Sequence, residues 1–159
     1  VGGNGEAFGQ KHTRQVARGL YPVVAAGGGL ADALRQLAGI TTRTHRIRCA
    51  FVCPGPVRIE EATTANELHL IAQEAVHNAV RHSRASRITI RLGARGDELR
   101  LAVQDNGCGL PAEAAQSGGM GLRVMRYRAG LIRGQVTIQA RPRGGTEVLC
   151  RLPQPGPQP

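Results

Sequence analysis

The chain has 159 residues, the length of one domain with a single buried core. Hydrophobic residues make up 41% and charged residues 20%, which excludes wholesale disorder, and a 3% aromatic content leaves Val, Leu, Ile and Ala to build the core. The formal charge of +10 suits four kinds of anionic partner: nucleic acid, anionic lipid, an acidic protein surface or a nucleotide polyphosphate.

The positive charge is almost entirely arginine, scattered along the chain and not interleaved with aromatic residues. No nucleic-acid-binding module is recognisable around these arginines. We therefore interpret them as a solvated basic surface and expect no nucleic-acid partner, an alternative that a salt-dependent gel shift would reveal.

The membrane and redox signals are weak. No apolar run approaches the ~20 residues of a membrane-spanning helix, and the first residues do not resemble a signal peptide. Cys49 and Cys53 lack the second ligand pair of a zinc site, and Cys49 and Cys150 lie in apolar, strand-like runs typical of core residues. We expect a cytoplasmic domain, which leaves open a membrane anchor elsewhere in the full-length protein.

The first third of the chain predicts two helices and a strand. Residues 1–20 suggest a glycine-rich linker and then the last turns of a helix, which Tyr21 and Pro22 end. After a run of glycines, the apolar spacing over residues 30–38 predicts a helix. Residues 46–52, RIRCAFV, alternate as a strand does.

The rest predicts a long helix and two hairpins. Residues 65–82 form the strongest helical pattern, and alternation predicts strands at 87–93 and 98–104. A loop of small residues leads to a helix from Leu122 to about Ile132 and a second hairpin, which ends near residue 153. This order favours a two-layer α/β sandwich, with a mixed, mostly antiparallel sheet and helices on one face. We assign residues 21–153 to this domain and residues 154–159 to a disordered tail.

The long helix carries a polar stripe. Glu74, Asn78 and Arg81 are spaced i, i+4 and i+7, and His82 lies beside them. The carboxylate and the carboxamide offer the hard oxygen ligands that Mg²⁺ prefers, while Arg81 and His82 suit phosphate oxygens. An ordinary polar helix face is the alternative.

Three glycine motifs follow. DNGCGL at residues 105–110 places an aspartate at the end of a strand, next to glycines whose backbone can approach a ligand. The alternative is a simple turn. GGMGL at residues 118–122 opens a helix whose first amides favour anions, but it matches neither the phosphate-loop lysine motif nor the dinucleotide fingerprint. GGT at residues 144–146 places a threonine at a strand start, or is only a hairpin turn.

In this order, the four segments resemble the ATPase domain shared by histidine kinases, type II topoisomerase, the Hsp90 chaperone and the MutL repair protein. IAQEAVHNAVRHSRAS looks like the N box of sensor kinases that pair with NarL-type response regulators. DNGCGL looks like their G1 box, GGMGLRVMRYRAGLIRG their G2 box and GGTEV their GT motif. The resemblance covers about residues 15–153.

The resemblance implies a role for each matching residue. Asp105 would accept a hydrogen bond from the adenine amino group, with Thr146 nearby, and Gly107, Gly109 and Leu110 would lie against the base. Asn78, with Glu74, would hold Mg²⁺ at the phosphates, and these two residues are the catalytic pair. The remaining nucleotide contacts would come from Arg81, His82, Gly119, Met120, Gly121 and Leu122, the last four at the end of a lid that we expect to be disordered without nucleotide.

The resemblance also implies a reaction and its partners. The γ-phosphate of ATP would pass to a histidine on a separate dimerisation helix, and then to a response regulator. That acceptor motif, of the R-x-L-H-D type, is not found in these 159 residues, and His12 has no acidic neighbour. We therefore expect a monomeric domain that does not phosphorylate itself, from a homodimeric protein, and we read His45, His69 and His77 as surface residues.

Two other functions also fit this sequence. A serine kinase of the anti-sigma-factor type has a similar ATPase domain, although the helical turns before Leu20 argue against it. A regulatory module that holds ATP without transferring phosphate would contain the same nucleotide-binding residues.

Overall fold

The computed structural model describes residues 29–154, and the helix predicted before Leu20 lies outside them. In chain order the elements are α1 (Gly29–His45), β1 (Arg48–Val52), α2 (Ala62–His82), β2 (Arg87–Arg95), β3 (Glu98–Asp105), α3 (Ala112–Ser117), α4 (Met120–Leu131), β4 (Gln135–Ala140) and β5 (Thr146–Pro153).

The five strands form one sheet in the order β1-β2-β3-β5-β4. Only β1 and β2 run parallel, joined by the α2 crossover that a parallel pair needs. The other neighbours are antiparallel. The predicted two-layer architecture with a mixed, mostly antiparallel sheet is confirmed.

The core lies between the helices and the inward face of this sheet. Alternate residues of β2 and β3 are buried, as the period-2 pattern predicts: Ile88, Ile90, Leu92, Leu99, Leu101 and Val103. Small residues dominate the α2 face opposite them, and their size lets this long helix lie close to the strands: Ala65, Ala72, Ala75 and Ala79.

Side-chain contacts fix the two flanking helices. The Thr42 hydroxyl of α1 accepts a hydrogen bond from the Cys49 amide at 3.0 Å, which satisfies a backbone group of the edge strand β1. Arg128 of α4 donates to the Glu67 carboxylate of α2 at 2.8 Å, and Glu67 is 12% exposed. The first contact joins α1 to β1, and the second joins α4 to α2.

Two of the four cysteines behave as core residues. Cys150 is fully buried, and Cys49 is half-buried against the core. Burial raises the pKa of each thiol to about 11, because the thiolate loses its solvation. The core assignment made from the sequence is confirmed for both, and the raised pKa disfavours the reactive thiolate form at neutral pH.

Two segments differ from the sequence prediction. Residues 112–117, predicted as loop, form the short helix α3. Gln154, assigned to the tail, is ordered, because its amide donates to the Asp97 carbonyl at 2.7 Å and its side chain to the Arg58 carbonyl at 3.0 Å. Within the described residues, none of the helices is both long enough and apolar enough to cross a bilayer.

The alternation of the sheet predicts unequal costs for neighbouring substitutions on β2. Ile90 is fully buried, so Ile90→Ala should lower the free energy of unfolding by about 2–5 kcal/mol. Thr89, half-buried on the opposite face, is the control, and Thr89→Ala should cost less than about 1 kcal/mol. Urea unfolding of both variants measures this, and equal costs would contradict the assigned faces.

Candidate functional site

Asp105 ends β3 in a buried position. Its side chain is 5% exposed, and Oδ1 accepts a hydrogen bond from the Gly107 amide at 2.8 Å. The aspartate thus closes a turn over its own strand end, which fixes the direction of the carboxylate. A buried, oriented carboxylate at this point can accept hydrogen bonds from a ligand.

Asn106 anchors the loop that follows. Its side-chain oxygen accepts from the Ser86 and Arg87 amides at 3.0 and 2.8 Å, and its Nδ2 donates to the Ser86 hydroxyl at 2.9 Å. The sequence pattern identified Asn106 only as a turn residue, because these partners lie about 20 positions earlier in the chain. Asn106 ties the glycine loop to the start of β2.

The glycine loop lies directly against the end of α2. The Cys108 amide donates to the Ser83 carbonyl at 2.8 Å, and a Cβ at Gly107 would lie 2.6 Å from the Ser83 Cβ. Gly107 is therefore required by this close approach to α2, a reason that the sequence did not indicate. Gly109 has φ 78°, so it needs glycine for its backbone conformation.

The β4–β5 hairpin contacts Asp105 from the other side. The Arg141 guanidinium donates to the Asp105 carbonyl at 2.8 Å. A Cβ at Gly145, which has φ 92°, would lie 2.7 Å from the Asp105 carbonyl carbon. Thr146 follows at once and is 5% exposed. Arg141 was not identified from the sequence, because only the folded hairpin brings it to the end of β3.

Glu74 and Asn78 lie together on α2 and face the first turn of α4. Both are half-buried, and a Cβ at Gly121 would overlap the Glu74 carboxylate and lie 3.1 Å from Asn78 Nδ2. Gly121 thus lets α4 pass over this polar pair without displacing the two side-chain ends. Leu122 is 7% exposed and anchors the start of α4 in the core.

The other predicted site residues are more accessible. Arg81 and His82 are exposed at the C-terminal end of α2, where the glycine loop also lies. Gly119 and Met120 are exposed at the start of α4, Met120 at 81%. Leu110 is half-buried after the glycine loop.

The lid segment, residues 111–119, packs on α4. The Arg126 guanidinium donates to the Ala115 carbonyl of α3 at 3.1 Å. Gly118, with φ 56°, makes the bend between α3 and α4. The lid therefore packs against α4, the helix that follows it directly in the chain.

One histidine differs from the expectation of a surface residue. His69 of α2 is half-buried, and burial lowers the pKa of its imidazole, because the charged form loses solvation. His45 and His77 are exposed, as expected, and His12 lies outside the described residues.

Glu74 and Asn78 offer few ligands for a metal ion. Across residues 29–154, no three His, Cys, Asp or Glu side chains are grouped to hold a metal ion. The pair supplies one carboxylate and one carboxamide, which fits a Mg²⁺ ion that takes its other ligands from water and phosphates.

The sequence profile of the family described as "Histidine kinase-, DNA gyrase B-, and HSP90-like ATPase" matches residues 63–156, more than half of the chain. The sensor histidine kinase LiaS of Bacillus subtilis is 32% identical over 151 residues, 94% of this chain and 40% of LiaS. The nitrate/nitrite sensor protein NarX of Escherichia coli is 40% identical over 94 residues, 59% of this chain and 16% of NarX. The chain thus spans less than half of these relatives.

Among solved structures, the chain is similar to the ATP binding domain of PrrB from Mycobacterium tuberculosis, with a TM-score of 0.67 and 26% identity over 80% of this chain and 96% of that one. The catalytic domain of the histidine kinase ThkA has the same fold, with a TM-score of 0.65 at 17% identity, over 79% of this chain and 94% of that one. The family profile, the relatives and the fold agree, and the chain belongs to the histidine kinase-, DNA gyrase B- and HSP90-like ATPase family as a histidine kinase-type ATPase domain.

Proposed function

We propose that this domain binds ATP with Mg²⁺ and transfers the γ-phosphate to a histidine of a two-component sensor kinase. The observation that supports this most is a continuous set of contacts. The hairpin touches Asp105, the Asp105 loop touches the end of α2, and α4 touches Glu74 and Asn78 of the same helix. All four sequence motifs are therefore linked by contacts, three of them directly at α2 and the hairpin through Asp105.

In this proposal Asp105 recognises adenine. Its buried carboxylate is held by the Gly107 amide and accepts the hydrogen bond of the exocyclic amino group. Thr146, buried at the start of β5, lies on the strand next to β3 and assists through water. Gly109, which has no side chain, lets the backbone approach the base, and Leu110 lies beside it. A purine with a carbonyl in place of the amino group would leave Asp105 without a donor.

Glu74 and Asn78 are the proposed catalytic pair on the phosphate side. When bound there, Mg²⁺ would offset the negative charge of the phosphates. Arg81 and His82, exposed one turn further along α2, contact phosphate or ribose oxygens. Phosphoryl transfer needs positioning and charge neutralisation, and these residues provide both without a covalent step on this domain.

The lid closes the site. Gly119, Met120, Gly121 and Leu122 form its C-terminal end, where the first amides of α4 favour an anion and Leu122 holds the helix in place. Met120 is exposed at the start of α4, and in this proposal its side chain covers the triphosphate. Closure excludes water and so disfavours hydrolysis of ATP.

The remaining parts of the proposal concern the whole protein. The names of its relatives, LiaS and NarX among them, support a sensor kinase that pairs with a response regulator, which we propose to be of the NarL type. We propose a cytoplasmic position for this domain, a homodimer for the full-length protein, and a phosphoacceptor helix as the partner of this domain in the transfer.

Calorimetry with a non-hydrolysable ATP analogue tests the site directly. Asp105→Ala should weaken binding by at least about a hundredfold, because a buried hydrogen bond to adenine is lost. Asn78→Ala should instead remove most of the dependence of binding on Mg²⁺. The exposed Gln73, which neighbours Glu74 on α2, provides the control Gln73→Ala, which should bind as the parent does. Unchanged binding in both site variants would refute the assignment.

The expectation that this chain does not phosphorylate itself can be measured. Incubation with γ-labelled ATP should leave no acid-labile label on this chain, because none of its histidines lies in an acceptor motif with an acidic neighbour. Added phosphoacceptor helix from one of the relatives, such as LiaS, should become labelled if it docks. An acid-labile label on the chain alone would contradict the prediction.

A further inference from the structure

The outward face of the sheet carries an arginine cluster that the nucleotide site does not use. Alternation directs six arginines to this face, away from the core: Arg48, Arg87, Arg91, Arg95, Arg100 and Arg151. Among the described strand residues, only two carboxylates share the face, Glu98 and Glu147. Arginines that are scattered in sequence are thus collected on one surface by the pleat of the strands.

The register places like charges side by side. Arg100 of β3 is directly opposite Arg151 of β5, and Arg48 of β1 is directly opposite Arg87 of β2. Arg91 pairs with Ala102 and is therefore diagonal to Arg100. Directly opposed side chains have Cβ atoms about 5 Å apart, at which like charges are destabilising.

The two acids neutralise only part of this cluster. Glu98 pairs with Arg100, while Glu147 is held by the side chains of Gln104 and Gln139. Arg91 and Arg151 are exposed and have no ion pair with any residue of the described range. The face therefore presents unneutralised guanidinium groups to solvent.

We propose that this arginine face, defined by Arg91, Arg100 and Arg151 with Arg48 and Arg87, is a docking surface for an acidic surface of a partner protein. Guanidinium groups recognise carboxylates through paired, directed hydrogen bonds. A partner that supplies carboxylates also removes the repulsion between the opposed arginines. Binding at this face and nucleotide binding are then separate functions of one domain.

Other occupants fit the charges less well. Residues 1–28 contain one acid, Glu6, against Lys11, Arg14 and Arg18, so the chain's own first segment is not complementary. A second copy is disfavoured because the chain carries a charge of +10. The partner is therefore a different, acidic molecule.

The shape of the face favours protein over nucleic acid or lipid. Five strands spaced about 4.8 Å apart span about 19 Å, wider than the ~12 Å major groove. Of the two aromatic residues within 29–154, Phe51 packs against the core and Tyr127 lies on α4, so neither can stack bases on this face. The apolar residues at the centre, Ala102 and Leu149, are 7% and 8% exposed and cannot insert into a bilayer.

Anisotropy with fluorescein-labelled poly-L-glutamate, at low and then raised salt, tests the proposal. The triple variant Arg91→Gln/Arg100→Gln/Arg151→Gln should weaken binding about tenfold or more. The matched control removes the same charge from exposed arginines elsewhere, as Arg43→Gln/Arg58→Gln/Arg133→Gln, and should weaken it less than about threefold. Both variants should keep the parent's affinity for the ATP analogue, which separates this test from that of the nucleotide site.

Three results would overturn the proposal. Equal losses in the two triple variants would mean that net charge alone attracts the peptide. Tighter binding of a labelled DNA duplex than of poly-L-glutamate, lost in the first triple variant, would assign the face to nucleic acid. Sedimentation with phosphatidylglycerol vesicles that depends on the same three arginines would assign it to membranes.

Discussion

The contact between the glycine loop and the end of α2 is the constraint on which the site depends. The Ser83 carbonyl accepts the Cys108 amide, and Gly107 leaves the space that this approach needs. The contact brings the end of β3, with Asp105, to the helix that carries Glu74 and Asn78. Without it, the proposed adenine contact and the proposed phosphate contact would belong to separate parts of the molecule.

Glycine serves a packing purpose at three points around α2 and β3. At Gly107 the neighbour is Ser83, at Gly145 it is Asp105, and at Gly121 it is the pair Glu74 and Asn78. In each case a side chain would collide with an atom of another element. The glycine motifs of this family are in this chain the points at which its elements meet, as well as backbone that can approach a ligand.

Much of the fold follows from local periodicity. The alternation of β2 and β3 and the 3.6-residue pattern of α2 predicted these elements nearly to their ends, because burial of one face dominates their energetics. The helix α3 was missed because the segment has no apolar periodicity and none of its residues is buried. Its ordering comes from Arg126 of α4, a contact that no local pattern contains.

The site was predictable to a different extent. Motif order alone proposes Asp105, Asn78 and the glycines as site residues, whereas Arg141 and the anchoring role of Asn106 depend on partners far away in the chain. The same holds for the arginine face. Arginines from β1, β2, β3 and β5 become one surface only through strand order and register, which the sequence does not state.

Arginines have two different roles in this domain. Near the proposed nucleotide site, Arg141 donates to a backbone carbonyl and so positions Asp105, while Arg81 lies exposed on α2. On the far side of the sheet, the exposed guanidinium groups of Arg91 and Arg151 make no ion pair within the described range. The arginines that give the chain its high net charge therefore position a residue in one part of the domain and form an exposed basic surface in another.

The most direct measurement is the affinity of Gly107→Ala for an ATP analogue, set against Gly93→Ala, since no atom lies within 4 Å of a Cβ at Gly93. We predict that Gly107→Ala loses at least about a hundredfold in affinity, because the loop can no longer reach Ser83, while its amide spectrum keeps the β2–β5 sheet. Gly93→Ala should bind as the parent does. A folded Gly107→Ala variant with parental affinity would contradict the account.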